Sequence, residues 1–165
     1  MTTISKVFSF TVLAALLASA ALAQQPAAPA AQATPTKGVV FTAADLAALV
    51  AKQPTDKNGI QSFMQLAPYS VNMEHRVSVP QSAAVHDTEA ELFYVVKGGA
   101  TMVTGGKLLE GKQTGVNWSG SGIEGGVATK LAVGDFLLVP EGVPHWFSKI
   151  EGEVTLMSLH LPRSK

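Results

Sequence analysis

The chain has 165 residues, with 12 Lys and Arg residues against 12 Asp and Glu residues, and it contains no cysteine. The lack of cysteine excludes disulfides, thiol catalysis and cysteine metal ligands, so packing must hold the fold together. A near-neutral chain without a basic cluster argues against nucleic acid and anionic lipid as partners.

The first 23 residues have the features of a signal peptide. Lys6 precedes the apolar run VFSFTVLAALLASA, and Ala21 and Ala23 fit a cleavage site after Ala23. This run is shorter than the ~20 residues that a membrane-spanning helix needs, which argues against an anchor. We therefore predict a periplasmic or secreted protein with no membrane segment after signal removal. Residues 24–36 are rich in Ala, Pro and Gln, and we predict a flexible leader there.

Residues 37–165 are predicted to form one domain. The stretch FTAADLAALVAK indicates a helix over about residues 42–52, with Thr42 as N-cap and Asp45 in an imperfect capping box. After it, from about residue 59 to 162, apolar and polar residues alternate within short runs that glycines separate, as is typical of strands. Gly98-Gly99 and Gly105-Gly106 predict tight turns on either side of ATMVT.

No strand is followed by a clear crossover helix, so the sheet should be antiparallel. About eight short strands in this space suggest a jelly-roll sandwich or a small closed barrel. Residues 107–126 lack periodicity and contain Trp118. This segment is interpreted either as a functional loop with Trp118 in a lid, or as a surface excursion that Trp118 pins down.

Two of the four histidines stand in informative positions. His86 lies five residues before Glu91, and Glu91, Phe93 and Val95 share one face of the same strand. His145 follows the rigid turn Pro-Glu-Gly-Val-Pro. Two imidazoles and a carboxylate that meet in one cavity could bind Fe, Mn, Zn or Ni as a divalent ion and leave positions open for substrate.

These residues resemble the motifs of the cupin superfamily. The first cupin motif reads Gly, five residues, His-x-His, three or four residues, Glu, six residues, Gly, and it fits at His86, Glu91 and Gly98. The second reads Gly, five residues, Pro-x-Gly, two residues, His, three residues, Asn, and it fits from Gly134 to His145. The resemblance runs from about residue 69 to 161 and is strongest to small exported bacterial cupins. It implies an all-β, cupin-type jelly-roll barrel of antiparallel strands with a short N-terminal helix.

The sequence departs from the family pattern at three motif positions. Ala84 replaces the first histidine of the His-x-His pair, Ser78 the opening glycine and Lys149 the closing asparagine. The resemblance therefore implies three of the usual four metal ligands, which are His86, Glu91 and His145. Three protein ligands with water are common in catalytic metal centres.

Other residues are candidates for the cavity. His75 and His160 lie in strands whose parity would let them face inward, and His75 could replace the missing ligand. Candidates for the apolar walls are Phe93, Phe136, Phe147 and Met157. Glu89 precedes the strand and is expected to be solvated.

Two functions remain open on the sequence alone. The first is an exported, metal-dependent cupin that acts on a small oxygenated molecule as an oxygenase or isomerase. The second is a non-catalytic, metal-free cupin that binds a small ligand or is structural, with His86 bonded to Glu91 and His145 capping the turn. The resemblance also implies a possible homodimer.

Overall fold

A computed structural model describes residues 36–163. The predicted signal peptide and residues 24–35 of the predicted leader lie outside this range. Among the described residues, no helix combines the length and apolar character needed to cross a bilayer.

The domain opens with one short helix, α1, at Ala43–Ala51. Thr42 caps it as predicted: its Oγ1 accepts from the Asp45 backbone N–H at 3.2 Å, and the Asp45 carboxylate accepts from the Thr42 N–H at 2.8 Å. Both halves of the capping box are thus present, which fixes where the helix begins.

Eleven strands follow within residues 36–163, and every pairing among them is antiparallel. This confirms the all-β, antiparallel prediction. The strands are β1 (Gly59–Leu66), β2 (Tyr69–Val77), β3 (Ala83–His86), β4 (Glu89–Thr104), β5 (Lys107–Leu109), β6 (Lys112–Thr114), β7 (Asn117–Gly120), β8 (Gly122–Glu124), β9 (Val127–Leu131), β10 (Phe136–Val139) and β11 (His145–Pro162).

The two longest strands, β4 and β11, form the centre of the fold. They pair with each other over most of their length, β2 flanks β11, and β9 and β10 flank β4. Their inward apolar side chains make the core, which consists of Phe93, Val95, Ala100, Met102, Leu131, Val139, Phe147, Ile150, Val154 and Leu156.

The predicted turn at Gly98-Gly99 is wrong, because β4 continues through both glycines as one 16-residue strand. Before the glycines the inward-facing residues have odd numbers, as Phe93 and Val95 do, and after them they have even numbers, as Ala100 and Met102 do. The ladder with β11 loses register between Ile150 and Val154, opposite this point. The glycines therefore mark a bulge that bends a continuous strand instead of a turn that ends it.

We expect Gly98→Ala to lower the free energy of unfolding by about 3 kcal/mol or more. Gly98 has a φ of 74°, and a Cβ added there would lie 2.0 Å from the Glu153 carbonyl oxygen. Gly105 is the matched control, because it has the same φ but no heavy atom within 4 Å of an added Cβ. Gly105→Ala should therefore cost only the left-handed backbone penalty of about 1–2 kcal/mol. Urea unfolding measures both variants, and equal losses would contradict the steric account.

The segment 107–126 is ordered into the four short strands β5 to β8. Strand β7 pairs with β3, and the Trp118 indole N–H donates to the Asp87 carboxylate at 3.0 Å. The segment is therefore bound to the strand that carries His86, and Trp118 helps to hold it there.

Candidate metal centre

The Glu91 carboxylate is the point at which three histidines meet. His86 Nε2 lies 3.3 Å and His145 Nε2 3.2 Å from Glu91 Oε2, and His160 Nε2 lies 3.3 Å from Glu91 Oε1. One donor atom from each of His86, Glu91 and His160 lies within 4.8 Å of the others. The structure thus brings all three histidines to Glu91, but the group of mutually close donors is His86, Glu91 and His160, and His145 joins it through its contact with Glu91 Oε2.

Strand register explains how residues so far apart in sequence meet. Glu91 in β4 is the direct cross-strand partner of His160 in β11, and such partners have Cβ atoms about 5 Å apart. His145 begins β11 opposite Ala84 of β3, and His86 ends β3. Ala84, which stands where cupins have their first histidine, lines the same pocket, and the fourth side chain comes from β11 instead.

The outer nitrogen of each imidazole has its own partner. His160 Nδ1 lies 2.8 Å from Glu89 Oε1, His145 Nδ1 3.3 Å from the Val143 carbonyl oxygen, and His86 Nδ1 3.0 Å from Asn117 Oδ1. Carboxylate and carbonyl oxygens only accept, so Nδ1 of His160 and His145 carries the proton. Each neutral ring then presents the lone pair of Nε2 to the centre, as metal-bound histidines do.

These donors fit a divalent cation. Without a cation, the lone pairs of His145 and His160 would face carboxylate oxygens, unless the rings become positively charged. Three imidazole nitrogens and one carboxylate form a donor set suited to Fe, Mn, Zn or Ni. A cation among them would remove the repulsion between these lone pairs and the carboxylate oxygens, because the donors would then point toward positive charge.

The charges of the cluster shift two pKa values. Burial raises the pKa of Glu91, but hydrogen bonds from His145 and His86 and the nearby positive charge outweigh it and lower this pKa to about 2. The pKa of His86 is raised, chiefly by its hydrogen bond to Glu91, against the opposing effect of burial. In the absence of a cation, the Glu91 carboxylate therefore favours the protonated form of His86.

The cluster opens into a pocket of about 210 Å³. Phe93 and Phe147 line it, as predicted, and their rings pack edge to face at 5.7 Å. His160 lines it as well. The pocket is smaller than the ~300–1,000 Å³ typical of sites for drug-sized ligands, so it suits a small molecule.

Three predicted cavity residues lie elsewhere. His75 contacts Thr155 at 3.2 Å and is not part of the pocket, because β2 turns Glu74 and Arg76 toward it instead. Phe136 is 67% exposed and stacks on Tyr94, because β10 directs Leu137 and Val139 inward. Met157 lies with Phe136 at a separate shallow apolar groove. These three assignments to the cavity are wrong.

Other residues of the site were missed or misjudged from the sequence. Glu89 is not simply solvated, since it binds His160 Nδ1, and Asn117 approaches His86 from the segment 107–126. The only available signal for Glu89 was its spacing, since Glu89 and Glu91 share one strand face. Nothing local to Asn117 indicated its contact with His86.

The fold was compared with known proteins. No protein-family model and no curated protein matches the chain. The Fe(II) form of HppE has 18% identity and a TM-score of 0.51, with 75% of this chain and 60% of that chain covered. Hydroxypropylphosphonic acid epoxidase from S. wedmorenis has 18% identity and a TM-score of 0.50, covering 64% and 51%. The cupin domain of Schizosaccharomyces pombe Cnp3 has 9% identity and a TM-score of 0.48, covering 64% and 65%.

The domain therefore shares its fold with HppE, an antiparallel jelly-roll β-barrel, which is the fold that the resemblance to cupins implied. The matched region spans between half and two thirds of the length of these solved chains.

Proposed function

We propose that this protein is an exported cupin that binds one divalent metal ion through His86, Glu91, His145 and His160. One observation carries the proposal: the outer nitrogens of His145 and His160 face acceptor oxygens, so each ring can offer the lone pair of its inner nitrogen to a cation beside Glu91 when that nitrogen carries no proton. The proposal of export to the periplasm or outside the cell is supported by the features of residues 1–23 alone.

We further propose that the site acts on a small oxygenated molecule, in a reaction of the oxygenase or isomerase type. A bound divalent ion would supply Lewis-acid polarisation of a substrate oxygen. The chain itself would hold the substrate against Phe93 and Phe147, whose rings keep water from that side of the pocket. The small volume favours a substrate with few non-hydrogen atoms. The homodimer implied by the cupin resemblance remains a prediction.

The alternative function is a metal-free binding domain. It is favoured by the direct contacts of His86 and His145 with Glu91, which satisfy the carboxylate when the imidazoles carry protons. In that case the cluster would be a buried charge network that holds strands β3, β4 and β11 together.

Elemental analysis distinguishes the two functions. The protein, purified without an affinity tag, should contain about one equivalent of a divalent metal per chain. The HppE structure that shares the fold is an Fe(II) form, so anaerobic loading with Fe(II) should be tried first, followed by Mn(II), Zn(II) and Ni(II). A protein that binds none of these ions would support the metal-free alternative.

A further inference from the structure

The pocket contains a second charged group, a partly buried ion pair of Arg76 and Glu74 that the metal site does not use. Arg76 Nη2 donates to Glu74 Oε2 at 2.6 Å, and Arg76 Nη1 donates to Gln81 Oε1 at 3.2 Å. Glu74 is only 3% exposed, and its other oxygen accepts from Ser158 Oγ at 2.5 Å. Both Arg76 and Glu74 line the pocket together with the histidines.

The guanidinium of Arg76 is held in place but is not saturated. Its carbon lies 4.7 Å from the centre of the Phe147 ring, so it stacks on the pocket wall. A guanidinium has five N–H groups, and Glu74 and Gln81 engage two of them. Nε is buried and has no hydrogen-bond partner among residues 36–163. An unpaired buried donor costs about 1–3 kcal/mol, so fold stability alone does not explain an arginine here.

The charges of the pocket define the ligand that would complete it. Glu74 balances Arg76, and Glu91 offsets one of the two charges of a divalent ion held by neutral imidazoles. The groups that line the metal-loaded pocket would therefore carry one net positive charge in a small, partly enclosed space, and Glu89, which contacts the outer nitrogen of His160, is not among them. Such a space favours a ligand with a single negative charge.

We infer that the pocket takes a small monocarboxylate with a second oxygen, such as a 2-hydroxy or 2-oxo acid, whose carboxylate is recognised by Arg76. The inference rests on the proposed function and names the substrate class of that site. Arginine suits this role because its planar fork matches a carboxylate, and charge-assisted hydrogen bonds of this kind are about twice as strong as neutral ones. The 210 Å³ of the pocket admits acids of this size.

The test compares an acid with its neutral amide. Lactate and lactamide are titrated into the Co(II)-loaded protein, and the visible Co(II) absorption reports binding. We expect the wild-type protein to prefer lactate, and the double variant E74Q/R76Q to lose about tenfold or more of that preference. This variant removes one charge of each sign, so the net charge of the pocket is unchanged and only the local contact is lost. The single variant E74Q leaves Arg76 unbalanced and should raise the preference for lactate several-fold.

Each outcome has a distinct meaning. The inference is supported if the preference for lactate over lactamide rises in E74Q and falls in E74Q/R76Q, with Co(II) affinity retained in both. A merely structural role would not change the preference in opposite directions. Equal preference in wild type and E74Q/R76Q would overturn it while leaving the metal site intact. If the double variant does not fold, E74Q still tests the inference: a preference for lactate no greater than that of the wild type would overturn the inference and leave the metal site intact. Failure of the wild-type protein to bind Co(II), seen before any ligand is added, would overturn the proposed function and this inference together.

Discussion

His160→Gln should remove metal as effectively as His86→Gln or His145→Gln, each lowering metal affinity by about 100-fold or more. His160 Nε2 is as close to Glu91 as the other two imidazoles are, at 3.2 to 3.3 Å. Glutamine keeps a polar side chain of similar size but lacks the imidazole nitrogen that these metals prefer. Competition with a chromogenic chelator measures the affinity, and circular dichroism checks the fold.

The matched control is His75→Gln. His75 is about as deeply buried as Glu91 and His145 and more deeply than His86 and His160, but it contacts Thr155 and lies outside the pocket. Its replacement should leave metal affinity within about threefold of wild type, within the range expected for a site without shared partners. Retention of full affinity by His160→Gln would show that only the predicted trio binds the ion. An equal loss in His75→Gln would show that the effect is structural.

The contrast between His160 and the predicted trio shows what local sequence can indicate. His86, Glu91 and His145 belong to short motifs with fixed spacing, in which a rigid turn or the short link between β3 and β4 sets the geometry. His160 meets Glu91 only because β11 pairs with β4 in one particular register. A shift of one residue would turn His160 to the other face, and no pattern within β11 specifies that register.

The alternation of apolar and polar residues does not predict which way a side chain faces where both faces of a strand are buried. Met73, Glu74 and His75 are all buried in β2, so alternation could not show which residues face the pocket. The apolar run of β10 likewise gave no sign that Phe136 faces outward. The turn predicted at Gly98-Gly99 is wrong because a bulge and a turn both select glycine, whereas Gly105-Gly106 does separate β4 from β5. The all-β fold, by contrast, depends on the average pattern over many strands, which single errors of this kind do not change.

The stability of the metal-free protein should be greatest at about pH 4.5 to 6.5 and should fall on both sides. The pKa of Glu91 is lowered from 4.5 to about 2 in the fold, so its contribution is present above pH 4.5 and is lost as the pH falls toward 2. At about 1.4 kcal/mol per pKa unit, this loss amounts to about 3 kcal/mol. The pKa of His86 is raised, so its contribution is present below its unfolded value of 6.5 and is lost as the pH rises through the folded value.

A bound metal ion should prevent the loss of stability that the metal-free protein shows at higher pH. A cation binds only deprotonated imidazoles, so protons and metal compete for the same nitrogens. The metal-loaded protein should therefore gain stability relative to the metal-free protein as the pH rises from 5.5 to 8, and above pH 6.5 the metal-free protein should itself lose stability. Thermal unfolding with one equivalent of Zn(II), and with a chelator, measures the difference at each pH.

Glu91→Gln provides the control, because other groups also titrate. The pKa of Glu153 is lowered by Lys97 and that of Asp45 by Thr42, and both remain in the variant. Without the Glu91 charge, the pKa of His86 loses the main cause of its rise, so the loss of metal-free stability above pH 6.5 should flatten. The stabilisation by Zn(II) should shrink at every pH in the same variant. If the metal-free wild type instead became more stable between pH 6.5 and 8, Glu91 would not hold a proton on His86, and the electrostatic account of the centre would be wrong.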